Sequence, residues 1–343
     1  KPITQYSLFM PITCLLLVLL VNIIQTPTFF KITIQNGVLY GYIIDILNRS
    51  SGLVILAVGM TLVVASSGGT DISVGAVSAL AGAVCVAALG TGEVYQMPYI
   101  AAVLLALLIG AVCGSVNGYL VSFLKVQPMV ATLILFTAGR GIAQLVTGSF
   151  ILYVKPKQFS YLGSFIPGVP IPTPFFVAAF VVILTWFVLT KTSLGMYVQS
   201  VGINNKASRL VGLNSKLIMF LTYVFCGICA AVSGLISVSR TASIDANNVG
   251  LYIELDAILA VAIGGNSLGG GKFSLAGSVI GAVTIQALTT TLYAMRVSAD
   301  QLPLYKALVV IVIVAIQSPE VKKWFGKLKS RFSSTNEPVK EAM

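Results

Sequence analysis

Residues 52–90 read GLVILAVGMTLVVASSGGTDISVGAVSALAGAVCVAALG, a stretch whose only charge is Asp71. Apolar residues occupy every face of both runs in it, so neither has the polar side that a helix at a water-facing surface needs. Nor do the runs alternate apolar with polar residues as lipid-facing barrel strands do. In hydrocarbon each run must satisfy its own backbone groups, which makes helices the expectation. Between the runs stands Gly68-Gly69-Thr70-Asp71, a cluster that ends the first helix and leaves backbone groups free.

Outward from this stretch the pattern repeats. Ten apolar segments are read at roughly 8 to 24, 52 to 66, 74 to 90, 98 to 122, 128 to 148, 174 to 190, 217 to 238, 254 to 265, 274 to 292 and 303 to 317. Counted with glycine and without tyrosine, apolar residues make up about 62% of the chain, against about 45–50% in an ordinary soluble domain. Charged residues are 9%, and the mean hydropathy is +0.96. Too little polar surface exists to keep such a fold in water, so lipid is the expected solvent. The first run lacks a small-residue cleavage site and has further spans behind it, so it reads as a span and not as a removed leader. The fold class expected is therefore all-α, a single polytopic membrane domain over 1–343 with about ten transmembrane helices.

The net charge of +11 does not indicate nucleic acid, because many of the basic residues flank apolar runs. The loop from Lys191 to Lys216 holds four Lys or Arg and no acid, and the tail over 319–343 holds five basic residues in the ten positions from Lys322 to Arg331. Both are expected on the cytoplasmic face. Counting ten spans back from a cytoplasmic C-terminus puts Lys125 and Lys272 inside too and makes both termini cytoplasmic. Lys31, Arg49, Lys155, Lys157 and Arg240 then lie on the other side, against a strict charge rule.

The chain has no histidine, which removes Ser/His/Asp triads and most zinc sites. Cys14, Cys85, Cys113, Cys226 and Cys229 lie inside apolar runs and read as small buried hydrophobes. No metal site is expected. In GGNSLGGGK the spacing of a phosphate loop fails, since Asn266 stands where the first glycine belongs and Phe273 follows Lys272. No cofactor is expected on this chain, and any ATP and magnesium would be used by another subunit.

Two runs are too short for a straight crossing. Gly52 to Ser66 has 15 residues and Glu254 to Ile263 fewer, against the roughly 20 that span about 30 Å of hydrocarbon. Each leads into glycines, so broken or re-entrant segments are expected near 66–74 and 263–273. ILAVGMTLVVASSGGTDISVGAVSALAGAV and ILAVAIGGNSLGGGKFSLAGSVIGAV also resemble one another if a gap is allowed, and paired halves favour transport over catalysis.

Several polar residues inside or beside spans are candidates for a solute pathway. Asp71 must face a cavity or a freed helix end, or else cap the next helix through the N–H groups of Ser73 and Val74. Arg140 pairs with an acid from another segment or snorkels to the interface. Asn117 is an amide within the run 98 to 122, and Asn266 stands in the second glycine cluster. Between Arg240 and Asp256, the residues Asp245, Asn247, Asn248, Glu254 and Asp256 form a polar cluster at the expected outer mouth, fit to meet a solute or a docked partner, or to be a solvated loop with a helix cap. In VGINNKASRLVGLNSK, Ala207, Leu210, Val211 and Leu213 give an apolar side edged by Lys206 and Arg209, suited to a groove of a peripheral protein or to the membrane interface.

Taken as a set, GGTDISVGAVSALAGAV at 68 to 84, KVQPMVATLILFTAGRGIAQLVTG at 125 to 148, VGINNKASRLVGLN at 201 to 214 and ELDAILAVAIGGNSLGGG at 254 to 271 resemble the permeases of ribose-type ABC importers. Within that family SSGLVILAVGMTLVVA, FLTYVFCGICAAVSG and IDANNVGLYIELDAILAVAIGG are similar to a permease of the galactofuranose importer. The resemblance implies a monosaccharide permease of the bacterial inner membrane working by alternating access. It implies as partners separate ATPase subunits, a second permease forming a homo- or heterodimer, with the heterodimer favoured, and a periplasmic sugar-binding protein. It also makes 191–216 the coupling loop, with Asn204, Lys206, Ala207, Leu210 and Gly212 at the ATPase contact. Thr70 departs from the family pattern, which has an apolar residue there. An ion-coupled secondary sugar transporter is the alternative, and a membrane enzyme the more distant one.

Overall fold

The structure, a computed structural model, describes residues 8–317 apart from 26 and 36. Its chain falls into two compact units, residues 1–295 and 296–343. The described part of the first holds eleven α-helices: α1 (Phe9–Gln25), α2 (Tyr42–Ser67), α3 (Val74–Leu89), α4 (Tyr99–Ser122), α5 (Pro128–Thr147), α6 (Thr173–Lys191), α7 (Leu194–Ile203), α8 (Asn205–Leu210), α9 (Ser215–Thr241), α10 (Ile253–Ile263) and α11 (Leu275–Ala294). The described part of the second unit holds α12 (Leu302–Gln317). Each of the ten apolar runs coincides with a helix, and α7 and α8 occupy the expected loop 191–216. The basic stretch 319–343 lies outside the described residues.

Among the described residues six helices are long and apolar enough to cross a membrane: α2, α4, α5, α6, α9 and α11. The shorter α1, α3 and α7 are also apolar. The protein is therefore a polytopic membrane protein. Its centre is α2, with 94% of its most apolar window buried, whereas the corresponding windows of α4, α5 and α6 are 28%, 22% and 17% buried. A soluble protein would not leave Leu104, Leu133, Ile134, Phe180 and Trp186 exposed together; lipid or another subunit must cover them.

The expectation that the run at 52–66 is too short is corrected. Helix α2 begins at Tyr42 and has 26 residues, about 39 Å at 1.5 Å each. The extra turns, YIIDILNRSS, are too polar to join an apolar run, yet Asp45 and Arg49 pair across one turn at 2.7 Å. What stands is the break after it. Gly68, at φ 64°, closes α2 by donating its N–H to Val64 O at 3.0 Å, the left-handed end that glycine adopts without cost. Helix α10 has 11 residues and covers about 16 Å, half the hydrocarbon thickness.

Close helix contacts rest on small residues, as membrane packing requires. On α4, a Cβ at Gly110 or Gly114 would fall on the backbone of Gly227 or Tyr223 of α9. Cys226 and Cys229 are buried, free thiols beside Gly59 of α2.

Loops of the first unit gather at two ends. At one, β1 (Thr33–Gln35) pairs with β2 (Val38–Tyr40), and β3 (Leu152–Tyr153) with β4 (Ser243–Ile244). Leu39 N donates to Pro170 O at 3.2 Å, and Gly163 N to Ser239 Oγ at 2.8 Å. At the other, Gly69 meets Pro128, and Gly68 meets Gly269 and Gly270.

Candidate functional site

The segment after Gly68 turns back into the bundle. Asp71 N–H points at Met60 Sδ, 3.4 Å away, though Met60 lies two turns before the end of α2. There Asp71 is 2% exposed. Its Oδ1 accepts from Ser73 N at 2.9 Å, from Ser73 Oγ at 2.6 Å and from Asn117 Nδ2 at 3.4 Å. Asn117, fully buried on α4, also donates to Ser73 Oγ at 2.8 Å. Asp71 thus organises the turn before α3, as a cap reading expected, but through Ser73 twice; no bond to Val74 N is formed. Buried oxygens of Thr70 and Asn117 keep unused capacity beside it.

The second break, between Gly264 and Ser274, has an amide at its centre. Asn266 Nδ2 donates to Val261 O at 3.0 Å and to Ser278 Oγ at 2.8 Å, while Oδ1 accepts from Ser274 N. Ser274 Oγ in turn caps α11 through Gly277 N at 3.1 Å. Thr61 Oγ1 of α2 donates to Ser278 Oγ at 2.6 Å. Of two consecutive residues of α2, therefore, Met60 touches the first break and Thr61 reaches the second through Ser278.

A third cluster forms at the end that carries β3 and β4. Arg140 Nη1 on α5 donates to the carbonyls of Ala246, Asn247 and Val249 at 3.2, 2.8 and 3.2 Å. Gln144 Nε2 donates to Asn247 Oδ1. Asp245 accepts from Asn247 N at 3.0 Å and Asn248 Nδ2 at 2.7 Å. Arg140 thus clasps a loop; it makes no acid pair within 4.0 Å, since the ion pairs of the described residues are Arg49–Asp45 and Lys155–Glu93. Glu254, 3% exposed at the start of α10, keeps a buried Oε2 without a hydrogen bond. Asp256 is half-buried two residues on.

The predicted residues thus separate into Asp71 with Asn117, Asn266, and Arg140 with Asn247 and Asn248. Thr61 and Ser278, which complete the second group, went unnamed at the sequence level, and Ser73 of the first was named for its N–H and not for its hydroxyl. Small hydroxyl residues are common in membrane helices and carry no periodic signal of their own.

Helix α8 projects from the base of α9. Asn204 Oδ1 caps it through Ala207 N at 3.0 Å, and Ser215 Oγ accepts from Arg209 Nε at 2.7 Å and donates to Asn205 Oδ1 at 2.9 Å. Lys206 and Ala207 are exposed, Leu210 and Val211 are 89% and 77% exposed, and nothing lies near the Cβ position of Gly212, whose φ is 87°. Helix α7 joins this tip to the breaks. A Cβ on its Gly202 would fall on Ala65 O, and that oxygen accepts from Gly271 N at 2.9 Å.

Residues 42–317 match the family model described as branched-chain amino acid transport system / permease component. The chain is 44% identical over 322 residues to the galactofuranose transporter permease protein YtfT of Escherichia coli K12, covering 93% of this chain and 92% of that one. It is 41% identical over 303 residues to the fructose import permease protein FruF of Bifidobacterium longum, covering 87% and 83%. To the ribose import permease protein RbsC of Escherichia coli K12 it is 37% identical over 307 residues, covering 88% and 91%. With the family model matched from the start of α2 to the end of α12, and these relatives matched over nearly their whole length, the chain belongs to the family of transport-system permease components.

Proposed function

We propose that this chain is the membrane-spanning permease of an ATP-binding-cassette importer that carries a monosaccharide, galactofuranose or a related hexose or pentose, across the bacterial inner membrane by alternating access. The observation that carries the reading is the full-length likeness to three sugar permeases of different specificity. It favours a sugar over the amino acids of the family description, and the high identity to the galactofuranose permease favours that sugar.

Two breaks seated on one helix supply the moving part. Backbone freed at a break satisfies itself on nearby polar side chains, so a small rotation of α3 or α10 can exchange partners without exposing bare peptide groups to lipid. Asp71, Asn117 and Asn266 stand along that path, with Arg140, Asn247, Asn248 and Asp256 toward its outer mouth. The exposed apolar tip of α8 docks on a separate ATPase, and α7 carries the displacement to both breaks through Gly202. In this orientation 191–216 and the 319–343 tail are cytoplasmic, as are both termini. A second permease, in a heterodimer, covers part of the lightly buried α4–α6 surface, and a periplasmic binding protein delivers the sugar.

Uptake of galactofuranose into proteoliposomes tests this. It should require ATP and the binding protein and should survive collapse of proton and sodium gradients. Ala207→Trp should abolish substrate-stimulated ATP hydrolysis while leaving insertion intact, because the side chain at 207 is exposed and its bulk would obstruct only a docked partner. Uptake driven by an ion gradient with no ATPase present would replace this reading with a secondary transporter.

A further inference from the structure

A polar cavity of about 210 Å³, the liquid volume of roughly seven waters at about 30 Å³ each, lies among α2, α9, α10 and α11. Arg49, Gly52, Ser233, Arg240, Gln286 and Thr289 line it. None of these belongs to the three clusters above. Arg49 stands in the second turn of α2 and Arg240 in the last turn of α9. The two guanidiniums therefore stand at one end of the bundle, near the start of α2 and the end of α9.

The charges around it do not balance. Arg49 has Asp45 as partner, Nε to Oδ1 at 2.7 Å. Arg240 has no acid within 4.0 Å among the described residues: its Nη2 donates to the backbone and side-chain oxygens of Asn48 at 3.0 and 3.2 Å, and its buried Nε has no acceptor. Ser233, 1% exposed, also keeps a buried hydroxyl without a partner. Glu254, beside the lining residue Ile253, does not close the account, because its Oε2 lies against Gly75. Two guanidiniums and one carboxylate leave an excess positive charge. A partly buried guanidinium with a donor left unpaired beside an open polar space favours an anion there.

From this geometry we propose that the Arg49–Arg240–Ser233 cavity binds a phosphoryl group, supplied by an anionic phospholipid headgroup or by free phosphate. A guanidinium fork meets phosphate oxygens with paired, charge-assisted bonds, and the Ser233 hydroxyl adds a donor. A neutral sugar would offer the hydroxyls and leave the charge uncompensated. The site joins α10, to which the proposed function gives a rotation, and α11 to α2 and α9, so its occupant would stiffen that junction.

Thermal unfolding and native mass spectrometry of the purified transporter in detergent test this, with phosphatidylglycerol, phosphatidylcholine or inorganic phosphate added. Phosphatidylglycerol should be retained and should raise the unfolding temperature, and Arg240→Gln and Arg49→Gln should each weaken its retention by about tenfold or more. Stabilisation by phosphatidylglycerol alone assigns the lipid as source; stabilisation by inorganic phosphate as well assigns the free anion. Arg49 is half-exposed and its loss leaves the fold intact, so it decides the matter if the Arg240 variant does not fold. Equal retention of phosphatidylcholine and phosphatidylglycerol, or retention unchanged in Arg49→Gln, would overturn the proposal.

Discussion

The two breaks, 68–73 and 264–274, solve one problem with opposite chemistry. Both follow a helix that runs into glycine, and both rest on α2, at Met60 and Thr61. The first is organised by a carboxylate that only accepts: Asp71 Oδ1 takes three donors. The second is organised by an amide that donates to Val261 and Ser278 and accepts from Ser274. An aspartate at the centre of a membrane helix costs about 2.5–3.5 kcal/mol to insert, and the three donors around Asp71 offset that. The lesson is that a break in a membrane helix is held by an organiser matched to the donors and acceptors which the break leaves free.

Exchanging the organisers breaks the comparison most sharply. Asn266→Asp removes two donors and sets a carboxylate against the Val261 carbonyl, so it should destabilise the transporter by about 3 kcal/mol or more. Asp71→Asn keeps an acceptor for Ser73 and should cost about 1 kcal/mol. It should still lower sugar uptake, with the affinity of the isolated binding protein unchanged. Denaturation in detergent ranks the pair, and equal losses would mean that donor count does not set the choice of organiser.

A smaller effect separates the two contacts on α2. Thr61→Val, nearly the same shape, deletes the donor to Ser278 and should cost about 1 kcal/mol. Smallest of all is Met60→Leu, which removes a weak sulfur acceptor and nearly conserves volume, at about 0.5 kcal/mol. A Met60→Leu loss larger than that of Thr61→Val would show that α2 supports chiefly the first break.

Much of this was legible in order along the chain. The helices coincide with apolar runs because hydrocarbon forces each segment to satisfy its own backbone. The breaks were legible because Gly68-Gly69 and Gly264-Gly265 interrupt those runs. Helix α2 was misjudged because its first turns carry Asp45, Asn48 and Arg49 and no longer look like a span. Arg140 posed a choice between an acid partner and the interface, and the structure gave it a third course, three carbonyls of one loop.

By itself, then, the sequence determined a polytopic helical membrane protein and two interrupted segments, since both follow from local apolarity and local backbone freedom. Only the tertiary structure decided that the two breaks share α2, that Thr61 bonds Ser278, 217 positions away, and that Gly202 touches both break-flanking strands of chain at Ala65 and Gly271. Such contacts depend on which faces of helices meet, and small residues permit many crossings of which packing selects one.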